Sequence, residues 1–499
     1  MSQQLFQDVF INGATERGWL YCENGKIAAL GTGNPPNGLD KNVQKISLGD
    51  QFLFPGFIDT HLHLHMMGQY EQRLNLKDCR SKNELLQSLK QYSSAHKDIS
   101  CIRGFGWDES NWSDQTLPTP TELDAICSQI PVLLCRTDEH AGIANSSLLQ
   151  KANLQGKNLL QESTLEAAIE HLPKENARDL ERALELAQNI CLQNGITAIH
   201  ESAATMHIVE SYLSASKKNT LKLYVSMALY GEEAIDFGLK YGPQTWGRLR
   251  SYGIKFFLDG ALGSRSALLF SPYADDPTTA GIQNISDNDL YQKVFAAVER
   301  KFQPLVHAIG PKANQIVINI YEKILQEKKT KLPLRIEHAE VILPEDILRA
   351  KKLGQIVFAV QPIHIRSDAK WLTSRLGEKM AKNAGCWNSI FQAGLPLCGG
   401  SDAPIDDISP LRGIHAATYR PEHMPEEVLS REAALKSYTE LAAFCSGQEN
   451  VMGNIAVAQL ANFVVLDHDI KNCSADELLK TKILHTIVEG KVEYSALPN

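Results

Sequence analysis

From residue 195 onward, short apolar runs alternate with longer stretches of helical composition. The runs fall at 196–201, 221–228, 254–258, 304–309, 334–338, 356–361 and 397–401, and the intervening segments include 289–301, 313–327 and 344–353. Counting the run at 54–58 as the first gives eight strands. Strands that alternate with helices predict an α/β protein, and eight of them match a (β/α)8 barrel of the TIM type. Ahead of residue 54 the pattern changes to short strands at 8–11, 18–22, 26–30 and 45–48, joined by Asn12-Gly13 and Asn24-Gly25. Asn-Gly between strand patterns is a strong hairpin signal. The far end repeats this style at 462–466, 483–488 and 491–494. Neither end has enough strands for a stable sheet alone, so the termini are expected to pair into one small β-sandwich domain, 1–54 with 455–499, around a barrel at 55–454. Between the first and second barrel strands lies a detour of about residues 66–190. Helical spacing at 84–94 and 176–194 and a strand at 131–136 mark it as an inserted subdomain rather than a loop.

The apolar run 52–63 ends in two histidines one residue apart. In an extended strand His61 and His63 share a face while Leu62 and Leu64 point the other way, so two imidazoles can reach one metal ion. Such a pair also arises by chance on a half-buried strand, and metal binding requires remote ligands. His307, His338 and Asp402 lie at or near the carboxyl ends of the fifth, sixth and eighth predicted strands, the face where such barrels hold their chemistry. Taken singly, each histidine reads as a hydrogen-bonded core residue and Asp402, followed by Ala403-Pro404, as a turn cap. Recurrence on three strands favours a ligand set. Lys255 sits among apolar neighbours in Gly253-Ile254-Lys255-Phe256-Phe257-Leu258-Asp259. A lysine so placed must pair, lose its charge or be modified. An ion pair with Asp259 and a carbamate formed with carbon dioxide both satisfy that demand.

Composition narrows the class. The formal net charge of −8 over 499 residues, with no dense Lys/Arg cluster, argues against a nucleic-acid-binding surface and favours a small-molecule substrate. The ten cysteines contain no Cys-x-x-Cys pair and read as reduced thiols. No basic-then-apolar leader and no membrane-length apolar stretch is visible, so a cytoplasmic protein is expected.

With these residues in place, the chain resembles the amidohydrolase superfamily, in its YtcJ-like branch (amidohydrolase family 3). The resemblance is carried by Pro55-Gly56-Phe57-Ile58-Asp59-Thr60-His61-Leu62-His63, Gly106-Trp107-Asp108-Glu109-Ser110, Arg136-Thr137-Asp138-Glu139-His140-Ala141 and Leu262-Gly263-Ser264-Arg265. It continues through His307-Ala308-Ile309-Gly310, Arg335-Ile336-Glu337-His338-Ala339 and Gln361-Pro362-Ile363-His364, and spans about residues 5–494. Pro311 replaces a more usual acidic residue, and Ala458-Gln459-Leu460-Ala461-Asn462 departs from the usual Gly-Lys-x-Ala-Asp. Neither departure touches the ligand set.

The resemblance implies two divalent ions, zinc by ligand preference, with His61 and His63 on one and His307 and His338 on the other. Carboxylated Lys255 would bridge them, and Asp402 would serve as ligand and general base. The implied reaction is hydrolysis of an amide or other non-peptide carbon–nitrogen bond by a hydroxide held between the ions. Trp107 and His140 in the detour, Arg265 beyond the fourth strand and His364 on the seventh are the implied substrate contacts, and His65 a rim residue. Alternatives are a mononuclear deaminase of the same superfamily and a non-catalytic scaffold. A homodimer is compatible with all of these.

Overall fold

The computed structural model describes residues 3–36, 43–112, 116–136, 141–161, 163–173, 176–420 and 424–497. Eight parallel strands form a nearly closed barrel: Phe57–Leu62, Ile196–Ala204, Tyr224–Leu229, Leu249–Phe257, Gln303–Ala308, Leu334–His338, Ile356–Val360 and Leu397–Gly399. Seven of them are buried along their whole length or all but one residue, which is why they read as continuous apolar runs rather than alternating ones. The seam between the eighth strand and the first is held just past the strand ends. Asp402 N donates to His61 O at 2.7 Å and His63 N to Ala403 O at 3.0 Å.

The first strand begins at Phe57, three residues later than the sequence pattern suggests. Phe54 belongs instead to Gln44–Pro55, a strand of the terminal sheet. Gly56 separates the two, and a Cβ there would lie 2.3 Å from Thr197 Cγ2, so only glycine permits the approach.

The chain ends share one sheet of seven strands. Its order is Lys491–Ser495, Ile483–Val488, Phe463–Leu466, Gln44–Pro55, Gln3–Ile11, Arg17–Glu23 and Lys26–Thr32. The antiparallel pairing of Phe463–Leu466 with Gln44–Pro55 joins carboxyl-terminal to amino-terminal chain. Phe6, Leu20, Leu53, Phe463, Val465 and Ile487 form its common core. At the Asn24-Gly25 hairpin both residues have positive φ, 52° and 77°, the geometry that makes Asn-Gly the preferred pair.

By compactness the chain divides into two units, residues 1–64 with 188–499 and residues 65–187. The second unit is built on a five-stranded sheet, Leu160–Gln161, Ala141–Ala144, Val132–Arg136, Ile102–Trp107 and Leu74–Asn75. Leu85 and Leu89 of the helix Lys82–Ala95 pack with Ile102, Trp107 and Leu134 in its core. Among the described residues no helix is long and apolar enough to cross a membrane.

Candidate metal centre

Strand ends deliver the candidate ligands to one face of the barrel. His61 is the penultimate residue of the strand Phe57–Leu62 with His63 just beyond it, and Lys255 lies in Leu249–Phe257. His307 stands near the end of Gln303–Ala308 and His338 ends Leu334–His338. His61 Nε2 and His63 Nε2 stand 3.5 and 3.2 Å from Asp402 Oδ1. The three residues offer ligand atoms that all lie within 4.8 Å of one another. Lys255 Nζ is 3.5 Å from His61 Nε2. The His338 ring neighbours both His61 and His307, with centroids 4.7 and 4.5 Å apart. All six residues of the predicted set therefore converge.

Local backbone explains how neighbours on a strand reach the same centre. Glu337 and His338 would face opposite ways in a regular strand, yet both approach His61. Positive φ at His338 (71°) and Ala339 (45°) breaks the alternation, and Asp402 (58°) shares this left-handed backbone. Such conformations are uncommon outside glycine and are typical of places where a side chain is re-aimed for a purpose.

Most of the imidazoles are fixed through the nitrogen they do not offer. His61 Nδ1 meets the buried Glu337 carboxylate, which is paired to Arg335. That guanidinium also reaches His200 Nδ1 at 2.9 Å, the Tyr252 hydroxyl at 3.1 Å and the Thr60 carbonyl. His63 Nδ1 faces Glu201 at 3.9 Å, and Glu201 accepts from the Tyr212 hydroxyl at 2.6 Å. His338 Nδ1 donates to Gln361 Oε1 at 2.7 Å. Partners of this kind set the tautomer and orientation of metal-binding histidines, leaving Nε2 for the ion.

Charge and hydrogen bonding also fit a cation. Burial, helped by the Lys255 ammonium, holds His61 well below the usual imidazole range and pushes His307 down to about 4. Burial likewise keeps His338 neutral, the form that binds metal. His307 Nδ1 and Asp402 Oδ1 are buried without a hydrogen bond, although His63 Nε2 stands close to the latter. An orphaned buried carboxylate oxygen facing two imidazoles is costly in the bare protein and is satisfied by an ion.

The Asp259 reading of Lys255 is not what the structure shows. Asp259 spends its oxygens on the backbone N–H groups of Leu268 (2.9 Å), Ile309 (3.0 Å) and Gly310 (2.8 Å). Among the described residues Lys255 meets no carboxylate at ion-pair distance, and burial pushes its amine down to about 8.

A second cluster shares His338. Glu340, His364 and His338 offer ligand atoms within 4.8 Å of one another, with Glu340 Oε1 3.6 Å from His364 Nδ1. Burial alone would lower His364, but the Glu340 carboxylate outweighs it and raises the imidazole to about 9. His364 is not on the seventh strand, as the apolar run suggested. It lies in the first turn of the helix Pro362–Ala381, which Pro362 opens at its preferred first position.

The other expected substrate contacts fare differently. Trp107 is fully buried in the core of the unit 65–187, with its indole N–H donating to Leu134 O at 2.9 Å, so packing claims it. Arg265 makes a two-point ion pair with Asp275, at 3.0 and 2.9 Å. His140 lies outside the described residues. His65 is buried in the helix Leu64–Glu71 rather than at a rim.

Sequence reasoning missed Glu337, Arg335, Glu201 and Glu340 as functional residues. Arg335 and Glu337 alternate on an otherwise apolar strand, and buried charges at that spacing signal a pair. Asp59 was also missed. Its carboxylate accepts from His61 N at 3.0 Å and Ser401 N at 3.1 Å, tying the first strand to the chain after the eighth.

A nearly closed parallel barrel with histidines, a lysine and an aspartate gathered at its strand ends defines the class of metal-dependent hydrolases. A sequence model described as the amidohydrolase family matches residues 44–494, and the chain belongs to that family. It is 30% identical to YtcJ of Bacillus subtilis (strain 168), with 95% of each chain covered. It is 24% identical to an N-substituted formamide deformylase of Arthrobacter pascens, over 95% of this chain and 94% of that one. Among solved structures, a metal-dependent hydrolase of Pyrococcus furiosus superposes with a TM-score of 0.83 at 27% identity, covering 94% of this chain and all of the other.

Proposed function

We propose that the protein hydrolyses the carbon–nitrogen bond of a small amide at a centre of two divalent ions, zinc by ligand chemistry. His61 and His63 would hold one ion and His307 and His338 the other, with Asp402 completing the first and Lys255 bridging. The bridge is a carbamate: the neutral Nζ lone pair bonds to carbon dioxide and a proton leaves, turning a buried amine into a carboxylate-like ligand. When bound, the ions supply Lewis-acid polarisation of the substrate and lower the pKa of water. The chain's own part is proton handling. Asp402 takes the proton of the attacking water and delivers it to the amine nitrogen as the carbon–nitrogen bond breaks. Glu337 and Glu201 keep His61 and His63 turned toward the centre throughout.

The observation that carries this reading is the joint placement beside His61 of a buried lysine that meets no carboxylate among the described residues and an orphaned Asp402 oxygen. Similarity to a relative named for deformylating N-substituted formamides supports an amide-type bond. The test is a panel of N-alkylformamides, N-acyl amines and cyclic amides, offered to protein reconstituted with zinc or manganese. Release of amine with the matching acid is expected. A metal-loaded protein that releases ammonia from ring amidines and leaves the panel untouched would overturn it.

A further inference from the structure

None of the six candidate metal ligands belongs to the unit 65–187, which nevertheless holds a cleft lined wholly by its own residues. The free interior of that cleft is about 60 Å³, several times the roughly 10–15 Å³ that holds one water, so a phosphate-sized group fits.

Its charge runs against that of the chain. The protein carries a formal net charge of −8, whereas the lining sets Arg73, Arg103 and Arg182 against the single carboxylate of Asp179. The three arginines come from separate elements. Arg103 lies in the strand Ile102–Trp107, where Ile102 packs into the core and Arg103, one residue on, is half-buried on the opposite face. Arg182 lies in the helix Ala177–Gln193, and Arg73 follows the helix Leu64–Glu71. Among the described residues neither Arg103 nor Arg182 meets a carboxylate at ion-pair distance. Guanidinium groups gathered in this way repel one another, and an anion between them removes that cost.

The wall is already tied together. The Tyr92 hydroxyl donates to the Gln72 carbonyl, and Gln72 Nε2 donates to Asp179 O at 3.1 Å. The Arg73 guanidinium lies 3.8 Å over the Tyr70 ring, a contact made through its face rather than its edge N–H groups. Asp179 Oδ2 accepts from Asn176 N at 3.3 Å, which turns the one acidic group toward the start of its own helix.

Charge and shape select the anion. Three cations less one carboxylate leave a surplus of two, and a phosphate monoester brings about −1.5 to −2 on a single centre with three acceptor oxygens. The planar fork of arginine pairs with two such oxygens at once. A carboxylate would bring one charge only. Tyr92, Ile99 and Pro173 line the same cleft and offer apolar surface to the carbon body of an ester.

We propose that this cleft binds a small phosphate monoester: Arg103 and Arg182 donate to the phosphate oxygens, and Tyr92, Ile99 and Pro173 pack on the organic part. The site shares no residue with the metal centre and does not rest on the amide reading.

The test is calorimetric titration of the zinc-loaded full chain with phenyl phosphate, alongside benzoate, which has the same ring and one charge. Arg103→Ala and Arg182→Ala should each weaken phenyl phosphate binding by about tenfold or more, the scale of a lost charge-assisted hydrogen bond. Arg103→Lys keeps the charge without the fork and should fall between wild type and Arg103→Ala. Raising salt from about 0.05 to about 0.5 M should weaken binding to wild type as well. Arg182 is exposed, so Arg182→Glu reverses a charge in a protein that still melts cooperatively, and it should abolish binding. Phenyl phosphate binding that survives the Arg103 and Arg182 variants overturns the site, and its loss in Asp402→Asn would then place the phosphate on the ions. Benzoate that binds as tightly as phenyl phosphate overturns the ligand class. Wild type that binds neither compound overturns the proposal altogether.

Discussion

The two side-chain clusters that meet at His338 are built from opposite resources. In the first, His61, His63 and Asp402 are backed by buried carboxylates. Glu337 holds His61 and is itself locked by Arg335, while Glu201 faces His63. In the second, His338 leans on the neutral amide of Gln361, and unpartnered nitrogens of Gln361 and His364 line a narrow cleft. The first arrangement puts a buried carboxylate behind each non-ligating nitrogen, as a site for a permanent ion requires. The second leaves buried nitrogens uncommitted.

Variants should break that contrast in order of size. Asp402→Asn removes the proton carrier and a ligand oxygen, and hydrolysis of the best amide in the panel should fall by about 10²–10⁴-fold. An activity within tenfold of wild type would place the base elsewhere. Arg335→Met leaves Glu337 buried without its cation, and a denaturant titration should show about 3–5 kcal/mol of lost stability. Glu337→Gln spares the shape but weakens the grip on His61, so competition with a chelator should report metal affinity reduced about 10–100-fold. Glu340→Gln is the counterpart in the second cluster and should leave metal stoichiometry unchanged. A lost ion in that variant would turn the second cluster into a metal site.

The smallest effect is a pH dependence. Against a usual value of 6.5, His364 is raised to about 9 by Glu340 in spite of burial. A group raised in the fold stabilises it fully below the unfolded value and loses that contribution as pH climbs through the folded one. The difference in Tm between metal-free wild type and Glu340→Gln should therefore be largest near pH 6 and shrink toward pH 9.5. A difference that grows with pH would mean that Glu340 does not stabilise the His364 cation.

How much of this was legible in the chain depends on whether the cause is local. The buried strands from Ile196–Ala204 to Leu397–Gly399 announce themselves because parallel strands covered on both faces must be apolar. The hairpin at Asn24-Gly25 was legible because its positive φ values need those residue types. The boundary at Gly56 was not, since its cause is contact with Thr197, far along the chain. The place of His364 was not read correctly, although Pro362 two residues before it is a residue type that opens helices. The six candidate ligands were found through recurrence at strand ends and through resemblance. Their supports were harder to see: Glu337 and Glu201 gain meaning only when His61 and His63 arrive from another strand. Trp107 carried a family phrase, but a large aromatic on a sheet mostly fills a core, and here it does.

The most direct test of the central claim is a metal count on protein refolded with zinc and bicarbonate and then desalted, compared with Lys255→Ala treated alike. Two ions per wild-type chain and at most one in the variant are expected. Two ions retained in Lys255→Ala, or none in wild type, would contradict it.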